Sequence, residues 1–190
     1  RAVSADFNGD GKLDLGVPVY ASSSVGYISV LLGNGDGTFQ APVQYPTNVN
    51  PGFVRLGDFN GDGKLDLALV ESPNYTDPGS ASILLGNGDG TFQPEVTFGA
   101  GIDPSGLDVG DFNGDGRLDL AATNYFSSTF SVFLQSPVSV GPPSLTFPDQ
   151  NIGTPSPSQD VTLTNSATTA LNISSITFTG TNPTDFSQTN

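Results

Sequence analysis

Asp6-Phe7-Asn8-Gly9-Asp10-Gly11-Lys12-Leu13-Asp14-Leu15 returns almost unchanged at residues 58–67 and 111–120, each copy reading D-F-N-G-D-G-[KR]-L-D-L. Side-chain oxygens fall at loop positions 1, 3, 5 and 9, and glycine at position 6. Three carboxylates crowded into nine residues repel one another unless a cation neutralises them. Ca²⁺ is a hard ion that takes about 6–8 oxygen ligands, and a tight loop can supply most of them. Position 7 is expected to add its backbone carbonyl, leaving its charged side chain in water. The spacing therefore predicts about three Ca²⁺ sites. The first is Asp6, Asn8, Asp10, the Lys12 carbonyl and Asp14. The second is Asp58, Asn60, Asp62, the Lys64 carbonyl and Asp66. The third is Asp111, Asn113, Asp115, the Arg117 carbonyl and Asp119. Gly11, Gly63 and Gly116 permit the sharp turn each loop needs, because glycine reaches positive φ without a Cβ clash.

The first half of the loop also matches the EF-hand pattern. An EF-hand needs a bidentate Glu at position 12, where this chain has Val17, Leu69 and Ala122. The flanks carry Pro and β-forming residues without helical periodicity, which argues against EF-hand and dockerin-like readings.

Outward from the loops, an internal repeat governs residues 1–135. Asp58 lies 52 residues after Asp6, and Asp111 lies 53 after Asp58. A second motif, Leu31-Leu32-Gly33-Asn34-Gly35-Asp36-Gly37-Thr38-Phe39-Gln40, recurs in frame at residues 84–93. Each repeat is expected to hold four strands: one before the loop (2–5, 54–56, 107–109), one after it (13–20, 65–70, 118–124), a third (27–32, 81–85, 129–134), and a fourth after the N-G-D-G turn (38–45, 91–98). Asn-Gly and Asp-Gly between apolar runs are hairpin signals. That is the reading given to Asp36 and Asp89, which lack ligands at alternating positions. Four antiparallel strands in about 50 residues is the period of a propeller blade. One such sheet cannot bury its faces alone, so blades must stack. Phe7, Phe59 and Phe112 are expected to wedge between blades. The third repeat lacks its N-G-D-G turn and fourth strand. The fold class is all-β: a partial β-propeller of about three blades, followed by the start of an Ig-like β-sandwich. Residues 136–143, with Pro137, Pro142 and Pro143, read as a linker. Residues 144–190 read as a partial second domain with strands at 144–147, 159–165 and 171–179.

The chain has 190 residues and a net charge of −14, and nine of its 19 acidic residues lie in the three loops. Only five basic residues exist, three of them at loop position 7, so no basic patch remains to follow phosphates. Nucleic-acid binding is excluded on that ground, and an anionic membrane surface is equally unattractive. The chain has neither Cys nor His. Disulfides, thiolate metal sites and Ser-His-Asp or Cys-His nucleophiles are thus ruled out. Among the acids outside the loops, Glu71, Asp77, Glu95, Asp103 and Asp108 show no setting for paired-carboxylate glycosidase chemistry. The chain is read as no enzyme. Asn74-Tyr75-Thr76 and Asn172-Ile173-Ser174 match the glycosylation sequon, a pattern met often by chance. The start at Arg1, five residues before the first predicted ligand, reads as internal to a longer protein. No membrane-inserting segment is visible.

D-F-N-G-D-G-K-L-D-L together with L-L-G-N-G-D-G-T-F closely resembles the FG-GAP/VCBS repeats, relatives of the integrin α-subunit propeller. The resemblance covers about residues 1–135 and implies propeller blades with Ca²⁺ held between the first two strands of each, on the residues named above. Leu145-Thr146-Phe147, Asn151-Ile152-Gly153-Thr154 and Val161-Thr162-Leu163-Thr164-Asn165 look like an ASH/Hydin-type immunoglobulin-like module. That pairing is similar to large secreted or surface proteins of bacteria. It implies a calcium-binding, non-catalytic scaffold or adhesion surface outside the cell, with an unknown protein or glycan ligand. The alternative is an accessory, glycan-binding module of a larger extracellular enzyme.

Overall fold

The computed structural model describes residues 1–20, 26–135, 138–141, 145–146, 154–165, 173 and 175. Among these residues the chain is all-β and has no helix. It divides into two compact units, Arg1–Gln135 and Ser136–Asn190.

Unit one holds three antiparallel sheets whose strands follow one another in chain order. The first is β1 (Val3–Ala5), β2 (Asp14–Val19), β3 (Tyr27–Leu31) and β4 (Val43–Pro46). The second is β5 (Pro51–Gly57), β6 (Asp66–Glu71), β7 (Pro78–Leu84) and β8 (Val96–Ile102). The third is β9 (Pro104–Gly110), β10 (Asp119–Asn124) and β11 (Thr129–Phe133). Each acidic loop is closed by an equivalent pair: Ala5 opposite Asp14, Gly57 opposite Asp66, Gly110 opposite Asp119. The repeat in sequence is thus a repeat in register.

The fourth strands begin later than the sequence suggests. Thr38 and Phe39 do not start β4. They fold back through a single bridge from Gly33 to Phe39, and Gly86 to Phe92 repeats it. Gly35 and Gly37 hold φ of 83° and 90°, so the backbone turns tightly and leaves a short free stretch before Val43.

The sheets stack face to face in the manner of successive propeller blades. Period-2 alternation sends neighbouring side chains of β6 to opposite faces. Leu67 and Leu69 join Phe7, Ile28 and Val30 of the first sheet in one core. Ala68 and Val70 join Leu107, Leu120 and Ala122 of the third in another. β6 is accordingly buried along its whole length. Phe7 and Phe59 are the expected wedges, 5% and 3% exposed. Phe112 is not, at 51%, and it shares an uncovered sheet face with exposed Phe130 and Val132.

Close approach at the two junctions uses one device. A Cβ on Gly26 would sit 2.2 Å from Pro51 Cδ, and one on Gly79 would sit 2.4 Å from Pro104 Cδ. In each case the residue entering a third strand must be glycine so that the proline opening the next sheet can pack on it.

In unit two, β12 (Val138–Gly141) pairs antiparallel with β13 (Thr162–Asn165). Within the stretch read as a linker, 136–143, Val138–Gly141 forms β12, whose Val138-Ser139-Val140 alternates as a strand does. The strands expected at 144–147 and 171–179 fall mostly outside the described residues.

Candidate metal-binding loops

All three acidic loops lie at the same end of their sheets, between the first and second strand. Their shape comes from carboxylates that accept their own backbone amides. Asp6 Oδ1 accepts N–H from Gly9 (2.8 Å) and Asp10 (3.1 Å), and Oδ2 accepts from Gly11 (2.7 Å). Asn8 Oδ1 accepts from the Asp10 amide at 3.0 Å, and Asp10 Oδ1 from the Lys12 amide at 2.9 Å. Asp58, Asn60 and Asp62 repeat every one of these bonds, as do Asp111, Asn113 and Asp115. Amides pointing at an anion favour its charged form. The Gly11 and Gly116 amides hold Asp6 and Asp111 below the ordinary carboxylate range. The Lys64 amide does the same for Asp62. All three carboxylates are ionised well below neutral pH.

The ninth position behaves differently. Asp14, Asp66 and Asp119 are buried. Asp14 Oδ2 accepts the Phe7 amide at 2.8 Å, and Oδ1 accepts the Gly33 amide at 2.7 Å. Asp66 takes Phe59 and Gly86, and Asp119 takes Phe112 and Gln135. Each therefore pins the start of its loop to the end of the third strand. Burial raises the Asp66 pKa, opposed by the Gly86 and Phe59 amides and reinforced by the charges of Asp62 and Asp58. A cation at this loop would relieve that repulsion.

The lysines at position 7 are more engaged than free solvated charges. Lys12 Nζ lies 3.5 Å from Asp10, and Lys64 Nζ 3.6 Å from Asp62. Their stems run over Gly35 and Gly88 of the N-G-D-G turns. Asp36 and Asp89 in those turns are held ionised by Thr38 and Thr91, with Lys12 and Lys64 contributing. The N-G-D-G turn is thus docked on the acidic loop, a relation the sequence shows only as two motifs in one frame.

In chemistry the loops fit a hard cation. Every candidate donor is oxygen; Oδ2 of the position 1 aspartate accepts one amide and keeps a second lone pair, whereas its Oδ1 accepts two. The absence of sulfur and imidazole donors turns the set away from softer metals. Among the described residues, however, no three acidic side chains are gathered closely enough to hold an ion as they stand.

Three stacked sheets, each with an acidic loop in the same register between its first two strands, define a blade-type repeat protein. The chain belongs to the FG-GAP-like repeat family, whose model matches residues 6–69 and 70–122. The two matched segments take in all three acidic loops. No curated protein matches the sequence.

Proposed function

We propose that this chain is a calcium-binding, non-catalytic repeat region of a secreted or cell-surface protein, serving as a scaffold and recognition surface. What carries the reading is the threefold return of one oxygen-lined loop with the same amide pattern each time. The ligands are the positions 1, 3, 5 and 9 side chains and the position 7 carbonyl of each loop. When bound, the ion would supply positive charge that offsets the three carboxylates of a loop as they close around it, and its binding free energy would add to folding. The chain's own contribution is preorganisation, since backbone amides already fix the rotamers of Asp6, Asp58 and Asp111. No described helix is long and apolar enough to cross a membrane. The extracellular placing rests on the family and on the high calcium needed to fill such loops.

Calorimetric titration of the calcium-free protein tests the reading. About three Ca²⁺ should bind, and Asp62→Ala should remove one while leaving the others. Absence of calcium binding at millimolar concentration would overturn it.

A further inference from the structure

At the end of the sheets away from the acidic loops, three aromatic rings stand in solvent. Tyr75 lies between β6 and β7, and Tyr125 and Phe126 lie between β10 and β11. Tyr75 and Phe126 meet edge to face at 5.5 Å, and Tyr125 and Phe126 at 5.1 Å, so the cluster spans two sheets. The rings are 71%, 69% and 53% exposed respectively. Clustered apolar exposure of this kind marks an interaction surface, whereas single exposed residues need no explanation. Neither stacking nor the repeat frame requires these rings.

The cluster is rigidly mounted. The Tyr125 amide donates to the Asp103 carbonyl at 2.9 Å, and the Ile102 amide to Ser127 Oγ at 3.2 Å. Asp103 and Ser128, both at φ 52°, are the non-glycine residues in the left-handed region among the described residues, and both belong to this corner. Such conformations gather at functional corners that the surrounding structure holds in place. Polar groups of the 72–77 loop are spent internally. Asn74 Oδ1 accepts from the Thr76 amide, the Thr76 hydroxyl and the Asp77 amide, and Asn74 Nδ2 donates to Asp77 Oδ2.

What remains is negative. Ring faces carry negative quadrupole charge, and Asp77 and Asp103 stand beside the rings in sequence and fold. The chain as a whole carries −14. Arg1 is committed elsewhere, with its guanidinium over Phe53 and its ammonium on the Gly52 carbonyl, and Arg55 stands 4.0 Å from Asp108.

We propose that Tyr75, Tyr125 and Phe126, with Asp77 and Asp103, form a docking surface for a basic segment of a partner protein, whose guanidinium or ammonium groups seat against the ring faces. This deepens the reading of the chain as a recognition scaffold and rests on it. Diffusing basic segments are drawn in by the acidic field and held by the rings, so binding weakens with salt.

The test is fluorescence anisotropy of a labelled hexa-arginine peptide on the full chain in calcium buffer, at low and physiological salt. The triple variant Y75A/Y125A/F126A keeps every charge and removes the rings. Its affinity should fall about tenfold or more. Asp77→Asn, which retains the acceptor for Asn74, should weaken binding and flatten its salt dependence. Equal affinity of wild type and triple variant would overturn the proposal, because the peptide would then answer only to overall charge. So would failure to bind at low salt, or capture of neutral cellohexaose by the rings in place of the peptide. Calcium titration of the same samples separates the two readings: full calcium binding without peptide binding overturns the docking surface alone.

Discussion

Asp66 accepts two amides that burial leaves no other partner for, whereas Asp62 accepts the exposed Lys64 amide and pairs with the exposed Lys64 ammonium. A buried donor stripped of its acceptor costs about 1–3 kcal/mol. Asp66→Ala should therefore lower stability by roughly 2–5 kcal/mol even in chelator, by urea unfolding. Asp62→Ala should cost less than about 1 kcal/mol there, and more only when calcium is present. Equal costs in chelator would mean that the ninth position is no pin. Residue types and spacing made all four side-chain positions legible from sequence as one recurring set of oxygen-bearing groups. They could not show that the ninth is held by Gly33, 19 residues on, because that contact exists only once β3 has folded back beside β2.

Between the first two sheets lies a carboxyl pair of another kind. Glu71, at the end of β6, accepts the hydroxyls of Ser80 and Ser82, each at 2.8 Å. Glu95, just before β8, accepts the Asn48 amide at 2.8 Å. The remaining oxygen of each is buried without a partner. A proton shared between the two carboxyls satisfies both. Burial, with Glu95 as its neighbour, pushes the Glu71 pKa up to about 8 from 4.5. A carboxyl whose pKa rises on folding binds more protons in the folded state, so stability is fullest below about 4.5 and falls as pH climbs towards about 8. Thermal unfolding of the wild type should show that decline. Glu71→Gln, whose amide donates to Glu95 at every pH, should flatten the decline and be the more stable protein at pH 8. A wild-type profile already flat across that range would contradict the shared proton. Sequence offered no sign of this pair, since its members stand 24 positions apart with β7 between them. The fourth strands were misplaced for a related reason. Asn-Gly and Asp-Gly announce a turn, but the chain first folds back through one bridge at Phe39 and Phe92, and ladder pairing with the third strand starts only at Val43 and Val96.

Stacking is where the repeats become one body. Phe59 lies in the core between the second and third sheets, while Phe112, its counterpart one repeat later, lies uncovered. Truncating a buried Phe costs about 3–5 kcal/mol, and an exposed one far less. Phe59→Ala should reach that range by urea unfolding and Phe112→Ala should stay within about 1 kcal/mol, a contrast that measures burial with the sequence context held constant. Similar losses at both would mean that the stack does not end at the third sheet's open face. The all-β class, the loop positions and the first two wedges were legible because the repeat imposes one register on each copy. Exposure of Phe112 was not, since the motif reads the same whether or not a sheet covers it. The proposed function rests on stabilisation of these sheets by cations at the three equivalent loops. Its most direct measurement is the thermal unfolding midpoint of the full chain in excess calcium and again in EDTA. A clear rise with calcium, growing with its concentration as linkage requires, is the predicted result; identical midpoints in the two buffers would contradict it.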